Sequence, residues 1–134
     1  MMQTTTYRTD VQLTPAQFAD ILKRAELNRP TEDLARMAQM LSYADLLITA
    51  WDGDKLIGVA RSLTDFCFCC YLSDLAVDKE YQRSGIGKQL IALTKEKVGP
   101  QTTLLLLSVP TAMSYYPKAG LDAAPNCFSI KRTE

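Results

Sequence analysis

Between two apolar segments lies the stretch Gln82-Arg83-Ser84-Gly85-Ile86-Gly87-Lys88. The segment before it, residues 66–77, is long, apolar and rich in aromatic residues, which predicts a strand buried on both faces. The segment after it, residues 85–98, carries its apolar residues at helical spacing, which predicts an amphipathic helix. The quoted stretch is therefore predicted to be the turn by which a buried strand enters a helix.

The two glycines of this turn favour the binding of an anion. The first turn of a helix has backbone N–H groups without intrahelical partners, and the helix dipole places positive potential there. Gly85 and Gly87 let a phosphate or a diphosphate come close to that backbone, while Arg83 and Lys88 add charge at the rim.

Two widespread phosphate-binding motifs do not fit these residues. A P-loop has the pattern G-x-x-x-x-G-K-[ST], whereas here a single residue separates the glycines and Gln89 follows Lys88. The dinucleotide fingerprint G-x-G-x-x-G needs a third glycine at the position that Leu90 occupies. What remains is the pattern Q-x-x-G-x-G after a buried strand.

The rest of the chain is predicted to form one domain of 134 residues around this turn. Thr14-Pro15 with Gln17 predicts the start of a first helix, and Thr31 predicts the N-cap of a second one. Further strands are predicted at residues 7–11, 46–51, 55–61, 103–109 and 127–132, and a short helix at 111–120. This order of elements predicts an α/β fold with a mixed sheet and helices on both faces.

The composition and the apolar pattern argue against several classes of partner. Lys and Arg together number 15, as do Asp and Glu, and this neutrality argues against nucleic acid or an anionic membrane as the main partner. The start of the sequence lacks the features of a signal peptide, and no apolar run is long enough for a membrane span, which predicts a cytoplasmic protein.

No metal site is predicted from the four cysteines, which are Cys67, Cys69, Cys70 and Cys127. The spacing C-x-C-C fits no common zinc site, and the chain has no histidine to complete one. Cys67 and Cys69 are expected on one face of the strand at 66–77, as buried, reduced thiols.

Two segments resemble the signatures of one enzyme family. Leu75-Ala76-Val77, followed by the turn at 82–88 and Leu90, resembles the acetyl-CoA motif of the GNAT superfamily of N-acetyltransferases. The stretch Ala112-Met113-Ser114-Tyr115-Tyr116-Pro117-Lys118-Ala119-Gly120-Leu121 resembles its second signature, A-x-x-x-Y-x-K-x-G-F. The resemblance implies a single GNAT domain over residues 1–134, with a central mixed sheet that splays around acetyl-CoA.

The resemblance also implies where acetyl-CoA binds. The amides of pantetheine would pair with the backbone of Leu75, Ala76 and Val77, almost as an added strand. The diphosphate would rest on backbone N–H groups of the turn. The residues implied for binding at the turn are Gln82, Arg83, Ser84, Gly85, Ile86, Gly87 and Lys88.

Acetyl transfer to an amine needs a proton donor and a base. Tyr116, four residues before Gly120, matches the family's general acid for the leaving CoA thiolate, and Tyr115 is the alternative. Asp74 is the only carboxylate inside the strand predicted at 66–77 and is the candidate base. The alternative expectation is that Asp74 is paired with the backbone of a neighbouring strand or with an arginine such as Arg61.

The implied function is direct transfer of an acetyl group from acetyl-CoA to a primary amine of a small molecule, within a ternary complex. Two alternatives stay open: a protein or peptide N-acetyltransferase, and a non-catalytic acyl-CoA-binding sensor with the same fold. A homodimer through the outer sheet edge or the N-terminal helices also stays open.

Overall fold

A five-stranded sheet forms the centre of the computed structural model, which describes residues 4–134. In sheet order, the strands are β1 (Thr5–Arg8), β2 (Leu46–Asp52), β3 (Lys55–Thr64), β4 (Cys69–Val77) and β5 (Thr103–Leu105). The first three neighbouring pairs are antiparallel and β4–β5 is parallel, so the predicted mixed sheet is confirmed.

Four α-helices accompany the sheet: α1 (Pro15–Arg24), α2 (Leu34–Ser42), α3 (Ile86–Val98) and α4 (Tyr115–Lys118). The predicted start of α1 is confirmed, because the Thr14 hydroxyl accepts from the Gln17 N–H at 3.1 Å while the Gln17 side chain accepts from the Thr14 N–H at 2.9 Å. None of the helices in residues 4–134 has the length and apolar character needed to cross a membrane.

The prediction that Thr31 caps α2 is wrong. Asp33 is the N-cap, and its carboxylate accepts from the Arg36 N–H at 3.0 Å. The Asp33 N–H itself donates to the Pro30 carbonyl at 3.1 Å, so the chain first closes a turn and the helix starts after it.

Helices cover both faces of the sheet, as predicted. On one face α1 and α2 bury Phe18, Leu22 and Met37 against Val59 of β3. On the other face Leu90 and Ile91 of α3 share a core with Ala60, the next residue of β3. Successive strand residues point to opposite faces, so β3 contributes to both cores.

Three predicted segments differ from the structure at the start of strands or in the last helix. The first strand is Thr5–Arg8 rather than 7–11, and the short helix at 111–120 divides into a 3-10 turn, Pro110–Ala112, and α4. β4 begins at Cys69 rather than at residue 66, because the Asp65 carboxylate accepts the backbone N–H groups of residues 67–69 and closes a turn there. Cys67 and Cys69 are therefore exposed, and Cys70 is the buried thiol.

The last two predicted strands are also corrected. β5 ends at Leu105 rather than at residue 109, since the chain beyond it leaves the neighbouring strand. Residues 127–132 form no strand, because in the described chain no other strand lies beside them. Their apolar side chains, Phe128 and Ile130, are 95% and 102% exposed.

Candidate functional site

β4 and β5 are hydrogen-bonded partners only over three residues each. The pairing starts with Cys69 opposite Thr103 and ends with Tyr71 opposite Leu105. β4 then continues alone, so residues 72–77 have one edge paired with β3 and one edge without a partner strand in the described chain. We call the space along this open edge the gap; it is the splay that the family resemblance implied.

The gap begins beside a β-bulge in β4. The register runs from Arg61 opposite Asp74 to Ser62 opposite Leu72, so Ser73 is the extra residue. A bulge bends its strand and increases the local twist. This bulge lies two residues after Tyr71, the last residue of β4 that pairs with β5, which is where the two strands stop pairing.

Alternation along β4 decides which backbone groups face the gap. The Asp78 N–H donates to the Ile57 carbonyl on β3 at 2.8 Å. Since the N–H and C=O groups of successive strand residues point to opposite sides, Ala76 bonds towards β3, whereas Leu75 and Val77 present theirs to the gap. The gap is therefore lined by a strand edge that has no partner strand in the described chain, and such an edge is able to bind an extended ligand.

The turn at residues 82–88 lies at the far end of the gap. Gly85, the N-cap of α3, has a left-handed φ of 85°, which glycine adopts without the penalty of a side chain. The first helical hydrogen bond runs from the Gln89 N–H to the Gly85 carbonyl at 3.0 Å. No backbone N–H of residues 83–88 donates to an acceptor in residues 4–134, which is the condition for anion binding at a helix N-terminus.

Two polar side chains of the turn brace it internally. The Gln82 side-chain amide donates to the Val77 carbonyl at 3.0 Å, and the Ser84 hydroxyl donates to the Tyr81 carbonyl at 2.5 Å. Both residues were predicted to bind the cofactor. The structure gives them contacts that hold the turn against the end of β4.

The remaining side chains of the turn separate into apolar and charged ones. Ile86 is 4% exposed and packs into the core under α3. Arg83 and Lys88 are exposed, and neither forms an ion pair with any residue in the 4–134 range. Their charges thus add to the positive potential of the helix N-terminus.

Tyr115 of α4 reaches over the turn. A Cβ atom added to Gly87 would lie 2.8 Å from the Tyr115 hydroxyl oxygen and 3.8 Å from a methyl group of Val77. Gly87 is therefore the point at which α4, the end of β4 and the start of α3 meet. Burial raises the pKa of Tyr115 above its usual 10.0, so the phenol, already protonated at neutral pH, keeps its proton to a higher pH.

Tyr116 takes a different position from its neighbour. It is half-buried and packs against the apolar core on the α3 face of the sheet, with its ring edge-on to that of Tyr115 at a centroid distance of 5.2 Å. Burial, and then the neighbouring Tyr115, raise its pKa above 10.0. Both phenols can donate a proton, and of the two it is Tyr115 whose hydroxyl lies beside the turn.

Asp74 lies on the other face of the sheet, under α1. Its side chain is 0% exposed, and its two oxygens accept hydrogen bonds from two guanidinium groups, that of Arg29 at 2.5 Å and that of Arg61. Both oxygens of this carboxylate are engaged by guanidinium groups and shielded from solvent, so an incoming amine has no open path to them. The geometry favours the ion pair with Arg61, the alternative considered from the sequence, over the role of a base.

Arg29 is the residue of this region that the sequence-based reasoning missed. The segment Asn28-Arg29-Pro30 indicates only the end of a helix. The available signal is indirect: a buried carboxylate in a strand requires partners, and more than one arginine can reach it.

The described residues contain no group of three or more His, Cys, Asp or Glu side chains arranged to hold a metal ion. The candidate site consists of the gap, the turn and the two tyrosines of α4, Tyr115 and Tyr116.

Comparisons with known proteins give one family and one recurring fold. The family model of the acetyltransferase (GNAT) domain matches residues 14–127. A curated relative, the chloroplastic GCN5-related N-acetyltransferase 2 of Arabidopsis thaliana, is 34% identical over 76 residues, a match that covers 53% of this chain. The chain covers 28% of the length of that relative.

Solved structures with the same fold cover almost the whole chain. A Staphylococcus aureus protein of unknown function, described as a probable acetyltransferase, superposes with a TM-score of 0.84 at 19% identity, over 98% of this chain and 100% of that one. The aminoglycoside N-acetyltransferase AAC(6')-Iy in complex with CoA gives a TM-score of 0.73 at 16% identity, over 99% and 97%. At such identities the likeness shows the fold alone.

Proposed function

The chain belongs to the GNAT acetyltransferase family, and we propose that it transfers an acetyl group from acetyl-CoA to a primary amine of a small molecule. The observation that carries the proposal is the position of the gap and the turn along one strand. β4 presents a backbone edge without a partner strand in the described chain and then leads into a helix N-terminus whose N–H groups have no partner in residues 4–134. An extended arm that ends in a diphosphate, which is the shape of CoA, matches that sequence of groups.

In this proposal the diphosphate binds the backbone N–H groups of residues 83–88, with Arg83 and Lys88 at its rim. Pantetheine lies along Leu75 and Val77, while Ala76 supports that edge through its pairing with β3. The thioester then reaches the closed end of the gap, where β4 meets β5 at Tyr71.

The chemistry proposed is direct attack of a neutral amine on the thioester carbonyl. The C–S bond breaks, the acetyl group moves to nitrogen, and the CoA thiolate leaves. Tyr116 is the proposed proton donor to that thiolate, as the family signature implies, and Tyr115 is the second candidate. A water molecule or the solvent takes the amine proton if Asp74 stays in its ion pairs.

A small-molecule acceptor is preferred because the chain is neutral overall, so it carries no excess of acidic charge to attract a basic peptide. The aminoglycoside enzyme of the same fold takes a small-molecule acceptor by its name. A protein or peptide acceptor is the second candidate. The homodimer and the cytoplasmic location, both expected from the sequence, stay predictions.

Release of free CoA thiol tests the proposal. The purified protein is incubated with acetyl-CoA and a panel of amines that includes aminoglycosides, amino sugars, amino acids, polyamines and peptides. Turnover with at least one small-molecule amine is expected. A non-catalytic sensor would bind acetyl-CoA, seen by calorimetry, and release no thiol with any amine.

A further inference from the structure

The bulge at Ser73 is held from one side by two arginines. Arg29 donates to the Ser73 carbonyl at 2.9 Å, and Arg61 contacts the Ser73 hydroxyl at 3.1 Å. The same two guanidinium groups bind the two oxygens of Asp74, the next residue of β4. Two consecutive residues of the strand are thus fixed at four points.

The arginines come from separate parts of the fold. Arg61 is on β3, and it also donates to the Met40 carbonyl of α2 at 3.3 Å. Arg29 is in the connection between α1 and α2, and its third contact is with the Asn28 carbonyl at 2.8 Å. The network therefore ties the bulge to the helical layer on that face of the sheet.

This network is more than a means of neutralising a buried charge. A bulged residue loses its place in the hydrogen-bond ladder, and a buried carbonyl without a partner is unfavourable. Arg29 supplies that partner for Ser73, while Asp74 fixes the orientation of both guanidinium groups. With the side chains of Asp74, Arg61 and Arg29 at 0%, 7% and 23% exposure, the arrangement is shielded from water.

The position of the bulge gives the network a consequence for the reaction. The gap closes at the pairing of Tyr71 with Leu105, next to Ser73. A group carried into the gap on an extended arm stops beside the bulge, about 13 Å along the strand from Val77 at roughly 3.3 Å per residue. The backbone that Arg29 and Asp74 hold is the backbone beside the reacting end of the arm.

We propose that Arg29 and Asp74 are positioning residues for acetyl transfer, which hold the Ser73 bulge in the geometry that presents the acetyl group to the acceptor. This inference rests on the proposed function. It assigns to Asp74 a role through Ser73, in place of proton abstraction, and it gives the same role to a residue 45 positions away in the sequence.

The test compares Arg29→Met with Asp74→Asn in kcat per folded molecule and in the Kd for acetyl-CoA. Both variants are expected to lose about 10- to 100-fold in kcat, the size of effect that a displacement of about 1 Å has on a bound reactant. Their Kd values are expected to change by less than about threefold, because the turn that binds the diphosphate is intact. Arg29→Lys, which keeps the charge but lacks the forked donor geometry, is expected to fall between Arg29→Met and the parent.

Arg24→Met is the matched control. Arg24 is also a half-buried arginine of the helical layer, with a side-chain exposure of 28%, and it pairs with a buried carboxylate, that of Asp78, at 2.5 Å. It is expected to lower the melting temperature about as much as Arg29→Met does, with kcat within about threefold of the parent. Equal losses of kcat in the two variants would overturn the proposal in favour of general destabilisation.

A catalytic base at position 74 predicts a different pattern. Removing Arg29 would then free the carboxylate and preserve turnover, and only Asp74→Asn would abolish it and remove the pH dependence of kcat. That outcome overturns the proposal. If the parent itself releases no thiol, the proposed function has failed, and amide hydrogen exchange decides on the network: residues 72–75 are expected to exchange at least about tenfold faster in Arg29→Met than in Arg24→Met, and equal rates would refute it.

Discussion

The hydroxyl oxygen of Tyr115 lies 2.8 Å from the position that a Cβ atom on Gly87 would occupy. This contact links α4 to the first turn of α3 across the end of β4. It also gives a reason for the second glycine that does not involve an anion, because a Cβ atom at position 87 would crowd the Tyr115 phenol.

Gly87→Ala is expected to weaken the packing of α4 on the turn, and Tyr115→Phe is expected to relieve the effect, because the next atom of the ring lies 3.7 Å away. The higher helix propensity of alanine, about 1 kcal/mol, acts in the opposite direction, so the single variant does not isolate the contact. A double-mutant cycle of unfolding free energies does isolate it, and the expected coupling between the two residues is about 0.5–1.5 kcal/mol. Additive effects would show that the two residues do not touch.

Gly87→Glu is expected to raise the Kd for acetyl-CoA by more than about tenfold. The carboxylate repels the diphosphate by about 1–4 kcal/mol at 4 Å, depending on the local dielectric constant, and each 1.4 kcal/mol is about tenfold in affinity. Ala92→Glu adds the same charge to an exposed position of α3 and serves as the control in calorimetry. Equal affinity of Gly87→Glu and the parent would remove the diphosphate from this turn.

Tyr116→Phe is expected to reduce kcat by about 10²–10⁴-fold with little change in acetyl-CoA affinity, since a positioned general acid acts mainly in the transition state. Tyr115→Phe is expected to have a mild effect on kcat. If Tyr115→Phe is the crippling change, the acid is the residue beside Gly87. A few-fold effect of each change would mean that water protonates the thiolate.

The pH profile gives an independent test of a tyrosine acid. Burial raises the pKa of Tyr116 above 10.0, so its proton is present at all lower pH values and is lost only as the pH rises through that raised pKa. A lysine-like acceptor amine, with a pKa of about 10.4, gains its neutral form over the same range. We expect kcat/KM to rise about tenfold per pH unit from about pH 7 to 9; a loss of kcat with a midpoint well below pH 10 would exclude Tyr116 as the acid.

Two features that depend on neighbouring residues were predicted correctly from the sequence. The start of α1 depends on Thr14 and Gln17, three residues apart, and the turn depends on Gly85 and the apolar residues of α3 after it. Both are visible in a short window of sequence, so their prediction succeeded.

Two features that depend on distant residues were not predictable from the sequence. The bulge at Ser73 is a property of the register between β3 and β4, and its partner Arg29 lies 44 positions earlier in the chain. Residues 127–132 alternate in the manner of a strand, but a strand needs a neighbour, and in the described chain none lies beside them. A hydrophobic pattern indicates which secondary structure a segment prefers, but it does not say which other segment will pair with it.

The central claim is that acetyl-CoA bound along β4 gives its acetyl group to an amine. The most direct measurement uses acetyl-CoA with an isotopic label in the acetyl group and follows the label by mass spectrometry after incubation with the amine panel. The account predicts that the label moves to the nitrogen of at least one small-molecule amine, at a rate that falls in Gly87→Glu at limiting acetyl-CoA. Label that stays on CoA with every amine class, in protein shown to bind acetyl-CoA, would contradict it.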